Sequence, residues 1–423
     1  MMLLKGGRVI DPSQHIDEKR DILIENGKIS TVEKDTPVAE TECIDVTNMI
    51  VTPGLIDMHT HLREPGHEYK ETIRSGTEAA VAGGFTAVAC MPNTQPVNDN
   101  RSVTEFILKQ ARCSNLAHVY PVAAISRSSE GKILTEFGDL HDAGAVAFSD
   151  DGQPVMNSRM MRSALEYAHS LGLPIISHCE DLFLSQGGHM NEGFSSTQLG
   201  IEGIPTIAED IMVMRDIALA EYTRTSVHIA HVSTTGSVEA IRGAKEKGIK
   251  VTAETAPHYF TLTDEALLDF STNAKVYPPL RSAKDIEAIK EGLKDGTIDA
   301  IASDHAPHSS IEKDVEFIFA SNGLIGLETS LALSLKLVDE GILTIATLIE
   351  KMTVNPARIL NIHKGTLEPG SDADITVIDP QRRWTVDINT FRSKSRNSPF
   401  DGWKLKGKAV MTIVGGDIKY REL

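Results

Sequence analysis

The sequence predicts an α/β protein: a (β/α)8 TIM barrel with a small β domain assembled from both chain ends. Three observations predict it. From about residue 51, short apolar runs alternate with longer stretches of helical period, the pattern of parallel strands joined by crossover helices. Eight such runs can be counted, enough to close a barrel rather than leave an open sheet. The β-rich segments lie at the two ends, and neither is long enough to hold a core alone.

The N-terminal segment supplies short strands around Arg8-Val9-Ile10, Asp21 to Glu25 and Lys28 to Val32. Asn26-Gly27 between two of them is a hairpin signal, because both central residues of a type I′ turn need positive φ. The barrel strands are expected at 55–60, 85–90, 118–124, 144–149, 174–178, 227–232, 249–254 and 298–303. Amphipathic helices are expected at 70–82, 100–112, 158–171, 206–222 and 236–247, with an eighth near 325–340 and a further one at 345–361. After His363 strands return in Asp374 to Asp379 and Val410 to Val414. The expected division is 1–52, 53–362 and 363–423, with the two outer segments paired into one unit.

Composition narrows the function. The 423 residues are 41% hydrophobic and 24% charged, ordinary for a globular protein with a large core. Lys and Arg number 42 against 59 Asp and Glu, a formal net charge of -17. That argues against nucleic acid or an anionic membrane as the main partner, while a few local arginines can still hold a small anionic substrate. The four cysteines, Cys43, Cys90, Cys113 and Cys179, form no CxxC pair, so a reducing cytoplasm is expected. No signal-like apolar run opens the chain, and no apolar stretch reaches the ~18 residues of a membrane span.

In a barrel of this kind chemistry sits at the C-terminal strand ends. Strand one ends in His59-Thr60-His61, whose imidazoles share a face because strand side chains alternate. Strand four ends in Asp150-Asp151, strand five in His178, strand six in His231 and strand eight in Asp304. Four histidines and two aspartates thus meet on one rim, although only 15 histidines are spread over 423 residues. Imidazole and carboxylate suit Zn2+. The set is large enough for two ions if one carboxylate bridges them, a site able to polarise a carbonyl and to generate a nucleophile from water at neutral pH. Asp304 is the natural acid-base group. Parity at a frayed strand end does not choose between Asp150 and Asp151. Cys179 points away from the site as packing, and His228 has the wrong parity and is read as structural or surface.

His59-Thr60-His61-Leu62-Arg63, Met91-Pro92-Asn93-Thr94, Phe148-Ser149-Asp150-Asp151-Gly152, His178-Cys179-Glu180, His231-Val232-Ser233-Thr234 and Asp304-His305-Ala306-Pro307-His308 together resemble type I, bacterial dihydroorotases of the amidohydrolase superfamily. Gly365 to Asp374 resembles the superfamily's return into its β-sandwich domain. The resemblance implies reversible cyclisation of N-carbamoyl-L-aspartate to L-dihydroorotate in pyrimidine biosynthesis. It implies one or two Zn2+, two favoured, with His59 and His61 on the first, His178 and His231 on the second, Asp151 bridging, and Asp304 as acid-base beside the first. Arg63 and Asn93 match groups that hold the substrate carboxylate, and His308 matches a substrate contact. A homodimer is expected, and aspartate transcarbamoylase is a candidate partner.

Strand four has no lysine, whereas hydantoinases and dihydropyrimidinases carry a carboxylated one there. Two departures bear on the substrate. Tyr277 stands where the family has a substrate-touching asparagine, and Ala320-Ser321-Asn322-Gly323 replaces a Pro-Phe-Gly ending to a lid expected over 305–323. Glu312-Lys313-Asp314 within it also fits a solvated loop. Competing readings are an allantoinase or other cyclic amidohydrolase, and a non-catalytic dihydroorotase-like subunit that supports aspartate transcarbamoylase.

Overall fold

The computed structural model describes residues 1–37 and 42–422. The first sheet begins with β1 (Met2–Asp11), β2 (Ile16–Glu25), β3 (Lys28–Glu33), β4 (Glu42–Asp45) and β5 (Ile50–Pro53). Asn26 and Gly27 join β2 to β3 with φ of 50° and 77°, the left-handed pair that an Asn-Gly turn supplies.

The barrel follows as β6 (Leu55–Thr60), α1 (Ile73–Gly83), β7 (Phe85–Cys90), α2 (Arg101–Ser114), β8 (His118–Ala123), α3 (Phe137–Asp142), β9 (Ala147–Phe148), α4 (Ser158–Ser170) and β10 (Ile176–Ser177). Next come α5 (Leu182–Ser185), β11 (Met190–Asn191), α6 (Phe194–Leu199), β12 (Gly203–Ile204), α7 (Ile207–Thr223), β13 (Val227–Ile229), α8 (Thr235–Glu246), β14 (Val251–Thr255), α9 (Ala283–Asp295) and β15 (Ala300–Ile301). The barrel region ends with α10 (Ser310–Lys313), α11 (Leu327–Asp339), α12 (Ile345–Met352) and α13 (Val354–Ile359), and the chain with β16 (Ile375–Thr385), β17 (Lys404–Val414) and β18 (Asp417–Arg421).

Two parallel sets, β6-β7-β8-β9 and β10-β13-β14-β15, make the ring. Parallel bridges Phe148 to Ile175 and Thr60 to His305 join them at both seams. Strands covered on both sides read as continuous apolar runs, and β6 and β7 are buried along their whole length. Met58, Ala89, Met91, Val122, Ala147, Ile176, Ala230 and Ala300 fill the barrel interior below the site. β5 connects the chain ends: it runs parallel to β1 and antiparallel to β16. Leu4, Val9, Ile22, Ile44, Val377 and Met411 pack together in the resulting mixed-sheet unit.

Three details differ from the sequence expectation. Hydrogen-bonded β9, β10 and β15 are only two residues each, shorter than the apolar runs that contain them. α9 is an additional helix, opened by a Ser282–Asp285 capping box. The helix expected over 345–361 divides at Thr353, whose φ of -137° and ψ of -77° break the path. Pro356 then sits in the first turn of α13, where its missing N–H leaves no helical bond unmade.

Candidate metal centre

The barrel brings all six expected ligands to one rim and buries them. His59 is 1% exposed, His231 3%, Asp151 4%, His61 and His178 5% and Asp304 8%. Around Asp151 the donors form two groups, His59-His61-Asp151 and Asp151-His178-His231. In the first, His59 Nε2 lies 3.3 Å from Asp151 Oδ1 and His61 Nε2 lies 3.6 Å from Asp151 Oδ2. Asp304 Oδ1 is 3.7 Å from His59 Nε2 and 3.2 Å from His61 Nε2. In the second, Asp151 Oδ1 is 3.6 Å from His178 Nδ1 and 3.5 Å from His231 Nε2.

The separations from Asp151 fit a metal, whereas His178 Nδ1 and His231 Nε2 stand closer to each other, at 2.8 Å. Two donors on a tetrahedral zinc with bonds of ~2.0–2.1 Å stand about 3.3–3.5 Å apart. His59 Nε2 and Asp151 Oδ1 are both buried with no hydrogen-bond partner, which is costly unless something else binds them. Of the two aspartates between which parity left the choice open, Asp151 is the one that faces both donor groups. Asp150 turns aside instead: its Oδ1 accepts from Ser126 N at 2.9 Å and its Oδ2 from the Ser126 hydroxyl.

The nitrogens pointing away from the centre are also held. His59 Nδ1 meets Glu254 Oε1 at 2.6 Å, His61 Nδ1 meets Asn93 Oδ1 at 2.9 Å, and His178 Nε2 meets Glu180 Oε2 at 3.4 Å. Metal-binding histidines commonly have such partners, which fix tautomer and ring orientation. Glu254 and Glu180 therefore stand where such orienting partners would be, and the sequence expectation gave them no role. His228 is buried rather than on the surface. Its Nε2 approaches Glu254 Oε2 at 3.5 Å, and its Nδ1 meets Thr252 Oγ1 at 2.8 Å. His258, beyond the end of β14, is buried with an unpartnered Nε2.

The electrostatics form one compensating set. Burial alone disfavours a charged His59, yet Asp151 and Glu254 push its pKa well above the ordinary value. Burial likewise opposes protonation of His178, but Asp151 and Glu180 raise it to about 9. Burial raises Asp304, and the His61 hydrogen bond with the charges of His59, His61 and His231 overcomes this, lowering it to about 2. Asp151 falls well below the usual carboxylate range for the same kind of reason, with the charge of His59 and the close imidazoles of His178 and His231 outweighing burial. A metal ion competes with protons for these imidazole lone pairs.

Arg63 is 8% exposed and its Nε donates to Pro307 O at 3.1 Å. Its guanidinium lies 3.3 Å from His308 Nε2, so the two stand together beside Asp304. His308 Nε2 meets the Asn322 carbonyl at 2.8 Å; burial and then the charges of Arg63 and Lys70 hold this imidazole well below its usual pKa, hence neutral and donating. With Oδ1 committed to His61, Asn93 presents its amide nitrogen near Gly152. Tyr277, in the place of the family's asparagine, is expected to be able to hydrogen-bond a substrate carboxylate. Its hydroxyl donates to Glu180 Oε1. Arg63, His231 and Asp304 have φ of 63°, 35° and 47°, a backbone region uncommon for residues other than glycine.

The segment expected to form a lid is clamped by two buried lysines. Lys275 Nζ donates to the carbonyls of Phe317, Ile318 and Ala320, and Lys313 Nζ to those of Lys275, Ser321 and Gly323. Glu312 pairs with Lys70 at 2.6 Å. Of Glu312-Lys313-Asp314, therefore, Lys313 is buried and Glu312 is engaged rather than merely solvated.

A family model described as the amidohydrolase family matches residues 50–419. A protein named dihydroorotase from Syntrophus aciditrophicus (strain SB) is 64% identical over 423 residues, covering 100% of this chain and 99% of the relative. Another so named, from Geobacter metallireducens, is 60% identical over 421 residues, covering 99% of each. Among solved structures, L-hydantoinase (dihydropyrimidinase) from Arthrobacter aurescens superimposes with a TM-score of 0.90 at 28% identity, covering 100% of this chain and 96% of that one. Dihydropyrimidinase from Brevibacillus agri gives 0.88 at 24% identity over 100% and 95%, a likeness of fold.

Proposed function

The chain belongs to the amidohydrolase family, and from that premise we infer that it is a dihydroorotase, interconverting N-carbamoyl-L-aspartate and L-dihydroorotate in pyrimidine biosynthesis. The observation that carries the reading is the pair of buried donor groups sharing Asp151, with Asp304 beside the first and Arg63 at the rim. The full-length relatives named dihydroorotase support it. The strand-four segment Ala145 to Asp151 contains no lysine, which favours an aspartate-bridged site over the hydantoinase arrangement. A complete ligand set opposes the non-catalytic reading.

The metal we assign is Zn2+, two per chain. His59, His61 and Asp304 would hold one ion, His178 and His231 the other, and Asp151 both. Bound there, the ions supply electrophilic polarisation of the ring amide carbonyl and acidify water. Asp304, ionised at neutral pH because its pKa lies at about 2, takes a proton from the attacking water and delivers it to the leaving ring nitrogen. In the cyclising direction it removes a proton from the carbamoyl nitrogen. Arg63 offers a planar cationic fork to the substrate carboxylate. The Asn93 amide nitrogen and His308 line the same side, and the clamped 305–323 segment limits access of bulk water.

The same reading divides the chain into 1–52, 53–362 and 363–423, and it places the enzyme in the cytoplasm as a homodimer able to meet aspartate transcarbamoylase. For the dimer, α7 exposes Ile207, Ile211, Met214 and Tyr222 on one face, close in sequence to exposed Phe183 and Phe194. Large apolar patches of this kind mark interaction sites.

The test is metal analysis together with a substrate panel. Zinc-loaded protein is expected to interconvert carbamoyl aspartate and dihydroorotate. Turnover of allantoin or hydantoin without turnover of dihydroorotate would overturn the reading.

A further inference from the structure

Each metal position has a buried glutamate behind it. Glu254 lies between His59 and His228, at 2.6 and 3.5 Å. Glu180 lies between His178 and Tyr277: Oε2 faces His178 Nε2 at 3.4 Å, and Oε1 accepts the Tyr277 hydroxyl. The Tyr277 ring also lies nearly parallel to that of His178, with centroids 6.1 Å apart and planes 16° apart. Glu180 is 6% exposed, so its carboxylate needs both partners. Lost to one, it is left half-satisfied in a low-dielectric wall.

We propose that Tyr277 and Glu180 are a positioning pair for the second metal position: Tyr277 fixes Glu180, and Glu180 fixes the ring of His178 with Nδ1 toward the metal. Tyr277 thereby acts on the site through His178 and not through a hydrogen bond to the substrate carboxylate. This deepens the dihydroorotase reading and rests on it for the substrate, but the metal readout stands apart from any substrate.

The experiment titrates the metal-free full-length chain with Zn2+ against a chromogenic chelator, and with Co2+ followed by its visible absorption. Glu180→Gln is expected to weaken one of the two equivalents by roughly 10–100-fold and leave the other in place. Tyr277→Phe is expected to shift the same equivalent in the same direction by less. With saturating zinc, Tyr277→Phe should leave KM for dihydroorotate within about twofold, since no hydroxyl–substrate bond is lost. Unchanged zinc binding in both variants overturns the proposal. So does a normal Tyr277→Phe zinc titration with a KM raised tenfold, which would make Tyr277 a direct substrate contact. If wild type binds two metals but does not turn over dihydroorotate, the functional reading fails while the metal comparison still decides the positioning role.

Discussion

Nδ1 of His59 donates to Oε1 of Glu254 across 2.6 Å, and each side chain is 1% exposed. The direction of the bond follows from charge: burial raises Glu254, but His59 and His228 outweigh it and lower the pKa to about 2, so the carboxylate accepts. That fixes the tautomer of His59 and leaves Nε2 free to bind metal, facing Asp151. One buried carboxylate thus determines what a candidate metal ligand 195 residues away in the sequence presents to the centre.

Glu254→Gln keeps the shape and removes the charge. Zinc at the first position should weaken by roughly 10–100-fold, while the second equivalent changes little. Asp150→Asn is the control, because Asp150 spends both oxygens on Ser126; its zinc titration should match wild type. A Glu254→Gln chain with wild-type affinity at both positions would remove Glu254 from the site.

Asp304→Asn should lower kcat by about 10²–10⁴-fold, the usual scale of lost acid-base catalysis, and retain zinc at the position held by His178 and His231. Because Asp304 titrates at about 2, its own protonation should not shape the rate profile between pH 5 and 9. An unchanged kcat in Asp304→Asn would assign proton transfer elsewhere.

Zinc affinity should fall as pH falls. The His178 pKa is raised to about 9 and that of His59 is raised well above its ordinary value, so below those values each imidazole must lose a proton before it can ligate. The sign is fixed: acid favours the protonated histidines and releases metal. Affinity should drop by up to about tenfold per pH unit for each imidazole displaced, and the acid limb of activity should follow metal content measured at the same pH. Activity lost at pH 6 with zinc fully retained would contradict this.

Arg63→Lys tests the planar fork. Lysine keeps the charge but cannot form paired parallel bonds to a carboxylate. KM for dihydroorotate should rise by about tenfold or more with zinc content unchanged. A wild-type KM would mean that Arg63 serves only the Pro307 carbonyl it already holds.

Most of the centre was legible because a barrel places chemistry at strand ends. Applied to β6, β9, β10, β13 and β15, that rule reaches His59, His61, Asp151, His178, His231 and Asp304. Applied equally to β14 it reaches Glu254, a carboxylate in the otherwise uncharged Val251–Thr255 strand, with His258 just beyond. The choice of Asp151 over Asp150 was not legible from alternation, since both lie past the two hydrogen-bonded residues of β9. Nor was the Tyr277–Glu180 contact, which joins positions 97 residues apart through loops. α9 did carry a readable signal: Ile286, Ile289 and Leu293 repeat at helical spacing after the Ser282 cap.

The last prediction concerns the covering segment. Lys275 and Lys313 are 2% and 4% exposed, and each ammonium spends its three donors on backbone carbonyls of or beside residues 317–323. Burial lowers them to about 8 and about 7, so these carbonyl dipoles only partly replace the water that each charge gives up. Lys275→Met fills the stem but leaves the carbonyls of Phe317, Ile318 and Ala320 without this donor, a cost of about 1.5–3 kcal/mol for lost bonds to a charged group. The damage should stay local, because these acceptors belong to the cover and not to the barrel strands. Limited proteolysis should cut between 309 and 323 faster than in wild type, and KM should rise as Asn322, the acceptor that orients His308, loses its fixed position. Wild-type proteolysis there, combined with a lowered Tm for the whole chain, would instead make Lys275 a general stability residue.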